Sequence, residues 1–334
     1  MSATSTVRSG FNIVRHVVPA STPSFKLACN TYRRATPLPS PSSSVTSTTP
    51  PIIFTHANGF HKEIWEPVIS RLSPPWANSD MYAFDCRNQG DSAVLNKDVL
   101  EKHFDWYSYA YDILKIVDTF GLKKAIGVGH SFGASAFFLA EVMRPGTFSA
   151  IVAVDPTNFP KEIYMNAPID DHPMAQLTLK RRDTWKSREE CKANLLQKKF
   201  FKAWHPEALD LYVEHGMIDV VNEDGSTGIT LKCPKYQEAT TFACIGTGLS
   251  DAYEKMPEIH IPIHIVSGEN SEINPEELVR MKLDRCKYGT LEIMKGVGHL
   301  LSLEKPQETA DQISGFLDRV IESPAEQEQL KARL

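Results

Sequence analysis

Apolar residues along this chain fall in short blocks, and the spacing within the blocks changes from one to the next. Pro51-Ile52-Ile53-Phe54-Thr55, Ala125-Ile126-Gly127-Val128 and Ala150-Ile151-Val152-Ala153-Val154 are unbroken apolar blocks. They are too short for helices and show no polar alternation, so they read as strands buried on both faces. Asp80 to Asp85 reads as a further strand, and Ile64 to Leu72 as a short helix. Tyr107 to Phe120 places Ile113, Leu114, Ile116, Val117 and Phe120 at helical spacing and stops at Gly121, a good C-cap. Near the start, Phe11–Val18 and Phe25–Arg33 read as strands divided by Pro19–Pro23, and Thr36 to Pro51 is a Ser/Thr/Pro tract expected to be a loop. Late in the chain, Ile259–Gly268 and Thr290–Lys295 are strands. Pro275–Asp284 is a helix, and Pro306–Val320 is an amphipathic helix with Ile313, Phe316, Leu317 and Val320 on one stripe.

Strands alternating with helices mean an α/β fold with a mostly parallel central sheet and helices on both faces. One stretch breaks the alternation. From Pro156 to Pro257 charge density rises, aromatics are frequent and helical spacing dominates. The expected organisation is a core from residues 1–155 and 258–322, a helical lid or cap insertion over 156–257, and a polar tail over 323–334. No internal repeat is visible.

Composition removes several function classes. The chain has 334 residues, 42% hydrophobic, ample for a large core. A net charge of −5 with no dominant basic patch argues against nucleic-acid binding. No apolar run reaches the ~20 residues of a transmembrane segment, and Met1–Gly10 has no apolar stretch that would make a secretory signal. The six cysteines (29, 86, 191, 233, 244, 286) are scattered, which suits reduced thiols in an intracellular compartment rather than disulfides or a metal site. The last three residues, Ala332-Arg333-Leu334, repeat the small–basic–leucine logic of the terminal peroxisomal address. A polar tail would present that free carboxylate to an import receptor. The expected location is the peroxisome, with the cytoplasm as the alternative.

The candidate chemistry centres on Gly129-His130-Ser131-Phe132-Gly133, a G-x-S-x-G pentapeptide with a strand candidate before it and a helix candidate after it. A sharp strand-to-helix turn of this kind exposes the serine Oγ above the sheet. The Phe132 N–H then lies at a helix N-terminus, where it can hold an oxyanion. A serine nucleophile needs a base, and Gly296-Val297-Gly298-His299 places His299 in a glycine-rich loop after the last strand. A second oxyanion donor is expected from His56-Ala57-Asn58-Gly59, through the N–H of Asn58 or Gly59. His56 is expected to tie that loop, and His130 to point away from the serine.

With these motifs in this order, the chain resembles the α/β-hydrolase superfamily from Pro51 to about Val320. The matching segments are His56-Ala57-Asn58-Gly59, Asp85-Cys86-Arg87-Asn88-Gln89-Gly90-Asp91-Ser92, the turn at Ser131 and the His299 loop. Ala57 and Asn88 stand where the family usually has glycine. The segment Leu177–Glu190 and Phe200-Phe201-Lys202-Ala203-Trp204-His205-Pro206 are similar to a fungal subgroup of peroxisomal lipase-like hydrolases and hydrolases of host-selective toxin biosynthesis. The resemblance implies the α/β-hydrolase fold and a serine hydrolase of carboxylic esters, lipids or thioesters that takes a small acyl substrate and needs no metal or organic cofactor. It also admits cofactor-free peroxidases, C–C hydrolases and a non-catalytic pocket-binding protein. It leaves the acid of the triad open. The usual loop reads Gly268-Glu269-Asn270-Ser271-Glu272, with Ser271 at the expected position. Asp155, at the end of the preceding strand, is favoured, with Glu272 and then Glu269 as alternatives. Phe200, Phe201, Trp204, Leu209 and Tyr212 of the insertion are candidates for an apolar acyl site or, equally, for the core of the lid.

Overall fold

The computed structural model describes residues 4–39, 49–163, 168–221, 224–243 and 247–321. Twelve strands are present among them. They are β1 (Thr4–Arg8), β2 (Phe11–Pro19), β3 (Lys26–Arg34), β4 (Ile52–Thr55), β5 (Met81–Phe84), β6 (Ala125–His130), β7 (Phe148–Val154), β8 (Thr184–Trp185), β9 (Met217–Val221), β10 (Thr227–Leu231), β11 (Ile263–Gly268) and β12 (Gly289–Met294). Nine form one sheet in the order β1-β2-β3-β5-β4-β6-β7-β11-β12. The pairs from β1 to β3 and the β3–β5 pair are antiparallel, and every pair from β5 across to β12 is parallel.

The sheet is covered on both faces, which is why its strands read as continuous apolar blocks. Ile52 and Phe54 of β4 pack into one core with Trp65, Phe316 and Leu317. Ile53 between them packs into the other, with Tyr109, Ile113, Phe137 and Phe138. The same alternation sends Val152 and Val154 of β7 to the first face and Ile151 and Ala153 to the second. The helix Trp106–Phe120 begins at Asp105, whose carboxylate accepts the Tyr107 N–H at 3.0 Å, and ends at Gly121 with φ 63°. Both ends follow from the sequence, an acidic N-cap and a glycine in the left-handed region.

The chain turns from β4 outward to β5, then returns to place β6 on the other side of β4. The loops leaving the carboxyl ends of β4 and β6 therefore diverge at a switch point, the usual place for a ligand in an open α/β sheet. The loop after β4 carries His56–Gly59, and the turn after β6 carries Ser131.

The insertion is mainly helical and carries a small sheet as well. It contains the helices Pro173–Lys180, Arg188–Leu195, Pro206–His215, Lys235–Phe242 and Gly248–Glu254, but also a three-stranded antiparallel sheet in the order β8-β10-β9. β8 has two residues, and β9 is half exposed in an alternating pattern. Neither leaves a strong period in a segment dominated by helical spacing.

Candidate active site

The turn at Ser131 is shaped by what cannot fit around it. Ser131 takes φ 58° and ψ −124°, a backbone state that a non-glycine residue reaches only under strain, at a cost on the order of 1–3 kcal/mol. A Cβ on Gly129 would lie 2.6 Å from the Ala134 backbone, and one on Gly133 would lie 2.7 Å from the His56 carbonyl. The helix Phe132–Met143 thus crosses β6 and the β4 loop at contact distance. The Ser131 N–H is held by the Val154 carbonyl at 2.9 Å.

His299 reaches the serine from the loop after β12. Glu269 accepts the Gly296 N–H at 2.9 Å, Glu304 accepts the Gly298 N–H at 3.2 Å, and Asn270 N–H donates to the Val297 carbonyl at 2.9 Å. So fixed, His299 Nε2 stands 3.0 Å from Ser131 Oγ, and Nδ1 stands 2.5 Å from Asp155 Oδ2. The carboxylate keeps the ring proton on Nδ1 and leaves Nε2 as an acceptor for the serine hydroxyl. His130 is buried, its Nε2 donating to the His299 carbonyl at 2.9 Å, and burial pushes its pKa down to about 3, so it stays neutral.

Asp155 directly follows β7, with φ 43°, and is fully buried. Its neighbours answer the question left by Ser271. The hydroxyls of Ser267 and Ser271 donate to it, the second at 2.6 Å, and Asn274 Nδ2 lies 3.4 Å away. Burial alone would push the Asp155 carboxyl up; the hydrogen bonds from His299, Ser267 and Ser271 outweigh it and hold the pKa below the usual carboxylate range. The loop after β11 therefore supplies donors to the carboxylate rather than a second carboxylate. Glu272 is exposed at the cavity rim, and Glu269 is exposed and engaged with Gly296. Behind Asn274 lies Lys282, fully buried, donating to Asn274 Oδ1 and, at 2.7 Å, to the Pro156 carbonyl. Burial lowers its pKa to about 7, against the opposing pull of Asp155. Ser267, Asn274 and Lys282 escaped the sequence reading. A serine in the otherwise apolar run Ile265-Val266-Ser267 is the one local signal of them.

On the other side of Ser131, the β4 loop is locked by side chains. Gln89 Oε1 takes the Gly59 N–H at 2.8 Å, which removes Gly59 as an oxyanion donor, and Gln89 Nε2 donates to Asn58 Oδ1 at 2.6 Å. Among the described residues, the backbone N–H groups of Asn58 and Phe132 have no partner. Gly59 has φ 84°, and a Cβ there would lie 2.8 Å from the Glu238 carboxyl carbon. His56 ties the loop as expected, donating to the Ala57 carbonyl at 2.9 Å and accepting the Cys86 N–H at 3.1 Å. Asn88, where glycine is usual, adopts no left-handed backbone. Its side chain instead donates to Thr241 Oγ1 at 3.1 Å, tying the core to the insertion.

Ser131, His299, Asn58 and Phe132 face a cavity of about 770 Å³ roofed by the insertion. Phe200, Phe201, Trp204 and Tyr212 line it in tilted and edge-to-face contact, with the Phe201 and Trp204 centroids 4.8 Å apart. Leu209 does not line it and belongs to the core beneath. The described residues contain no cluster of His, Cys, Asp and Glu able to hold a metal ion, and no helix long and apolar enough to cross a membrane.

Comparison with known proteins bears on the family and the fold. Residues 52–312 match the model of the alpha/beta hydrolase family. The peroxisomal membrane protein LPX1 of Saccharomyces cerevisiae is 24% identical over 84% of this chain and 78% of its own. Its solved structure, that of a peroxisomal α/β-hydrolase, superposes with a TM-score of 0.80 at 19% identity, covering 98% of this chain and 97% of that one. The type I acyl-CoA thioesterase mpaH of Penicillium brevicompactum is 26% identical over 68% of this chain, which spans only 59% of that protein. The abhydrolase domain-containing protein ACTT2-1 of Alternaria alternata is 28% identical over 58% of this chain and 83% of its own. The family match spans most of the sequence and includes every segment that surrounds the cavity, so the chain belongs to the alpha/beta hydrolase family.

Proposed function

We propose that this hydrolase cleaves a carboxylic ester or thioester through an acyl-enzyme on Ser131. The observation that carries the reading is the unbroken chain from Ser131 Oγ through His299 to the buried Asp155 carboxylate, opening on an apolar cavity. Ser131 Oγ attacks the acyl carbonyl as its proton passes to His299 Nε2. The tetrahedral oxyanion is held by the Asn58 and Phe132 N–H groups, each such donor contributing about 3–4 kcal/mol in related chemistry. Collapse expels the alkoxide or thiolate, which takes the proton from His299. Water then repeats the sequence and releases the acid. Asp155 keeps the imidazole in the reactive tautomer and stabilises the imidazolium.

Phe201, Trp204 and Tyr212 suit an acyl chain or a fused apolar group, in keeping with the acyl-CoA thioesterase among the relatives. The test is turnover of short acyl esters and thioesters by Ser131→Ala and His299→Ala. Each should lose activity by about 10⁴-fold or more, and the double variant should lose no more than either. Normal turnover by folded Ser131→Ala would end the reading.

The peroxisome is the proposed location, on the strength of Ala332-Arg333-Leu334 and the peroxisomal relative. The tripeptide lies outside the described residues. An amino-terminal fluorescent fusion should overlap a peroxisomal marker and become diffuse when Ala332–Leu334 are removed. A diffuse signal from both would refute the address.

A further inference from the structure

Among the insertion residues that line the cavity, mostly apolar with a few threonines and His172, Arg181 and Glu238 form an ion pair. Arg181, at the end of the helix Pro173–Lys180, pairs with Glu238 on the helix Lys235–Phe242, and both side chains line the cavity with Ser131. Glu238 is 7% exposed and Arg181 26% exposed at the side chain, so the pair sits in the cavity wall rather than on the outer surface. A buried ion pair is a poor way to hold two helices together, because apolar residues of the same volume serve as well or better. Its position suggests another use. The Glu238 carboxylate is packed against Gly59, within about 3 Å of the place a Cβ would occupy, and the Glu238 carbonyl accepts the Asn58 side chain at 3.0 Å. The pair therefore stands one residue from the N–H assigned above to the oxyanion.

We propose that Arg181 and Glu238 form a specificity site for an acyl group bearing a hydroxyl on the carbons nearest its carbonyl. The inference rests on the acyl-enzyme reading above. Guanidinium and carboxylate side by side offer a donor and an acceptor, the two things a hydroxyl needs at once. An unsubstituted chain gains nothing there. A free carboxylate is disfavoured, because Glu238, Glu272 and Glu304 all line the cavity and Arg181 is already matched.

The experiment compares N-acetylcysteamine thioesters of octanoate, α-hydroxyoctanoate, β-hydroxyoctanoate and a monothioester of glutarate. The expected wild-type result is a kcat/KM about tenfold higher for one hydroxyoctanoyl thioester than for octanoyl, with glutaryl the poorest, as one satisfied polar contact would give. In Arg181→Met/Glu238→Met, which leaves no unpaired buried charge, the hydroxyoctanoyl-to-octanoyl ratio should collapse to about one. A flat wild-type ratio, a preference for glutaryl, or a ratio that survives the double substitution would each overturn the proposal and make the pair a latch between two helices. Failure of the underlying reading looks different, since wild type would then neither turn over octanoyl thioester nor take a fluorophosphonate on Ser131.

Discussion

The carboxyl ends of the sheet and the insertion share one cavity but are built on opposite terms. At the sheet ends, the polar groups facing the reaction site are held by others: His299 by Asp155, Asp155 by Ser267 and Ser271, Gly59 by Gln89, and the His299 loop by Glu269 and Glu304. The insertion presents mainly aromatics in edge-to-face and tilted contact, with Phe200 more than half exposed and Phe201 partly so. Preorganised polar groups stabilise developing charge, whereas an apolar wall contributes area without direction. Under the proposed function, chemistry belongs to the sheet and substrate choice to the insertion. The same division says where substitutions should change kcat and where they should change KM.

The sharpest break of that division is at Asp155. Asp155→Asn should keep the fold but favour the wrong tautomer of His299, lowering kcat by about 10⁴-fold, as the analogous change does in a serine protease. Glu272→Gln, on the exposed rim, should change kcat by less than about threefold. Steady-state kinetics of the two variants decides the matter, and a crippled Glu272→Gln beside a mild Asp155→Asn would move the acid to the later loop.

A smaller effect is expected at Lys282, where the sheet region carries a stability cost for its electrostatics. The folded-state pKa is about 7, against 10.5 when unburied. Between those values the unfolded chain binds the extra proton, so wild-type stability should rise as pH increases from 7 towards 10. Lys282→Met removes that dependence. Its unfolding free energy relative to wild type should fall by on the order of a few kcal/mol over this window, as read by urea denaturation at each pH. A difference independent of pH would mean that Lys282 titrates normally.

The smallest effect belongs to the insertion. Phe201→Ala should raise KM for octanoyl substrates by about tenfold, because the acyl chain then buries less apolar surface against the roof. It should raise KM less for acetyl substrates, which do not reach the aromatics. Equal changes for both chain lengths, or a fall in kcat alone, would blur the division.

The legibility of the two regions in the sequence also differs. The strands buried on both faces, the helix that stops at Gly121, and the loops around Ser131 and His299 were readable because each has a local cause: an apolar block, a glycine C-cap, a glycine where a Cβ would collide at 129 and 133, or a glycine with positive φ at 296. The setting of Asp155 was not. Ser267 and Asn274 lie more than a hundred residues from it, and the sheet order that makes β7 and β11 neighbours is a tertiary fact. The role of Ser271 as a donor to Asp155 follows only from that adjacency. In the insertion, the β8-β10-β9 sheet was hidden because β8 has two residues and β9 is half exposed, and the choice of cavity or lid core for Leu209 stayed open because a helix period gives a face but not what that face meets.

The most direct test of the central claim, that Ser131 is the nucleophile driven by His299 and Asp155, is the rate and site of fluorophosphonate labelling followed by intact-mass and peptide analysis. The expected result is one adduct per chain on the peptide containing Ser131, absent from Ser131→Ala and slowed by orders of magnitude in His299→Ala and Asp155→Asn. An adduct on another residue, or undiminished labelling of Ser131 in folded His299→Ala, would contradict the account.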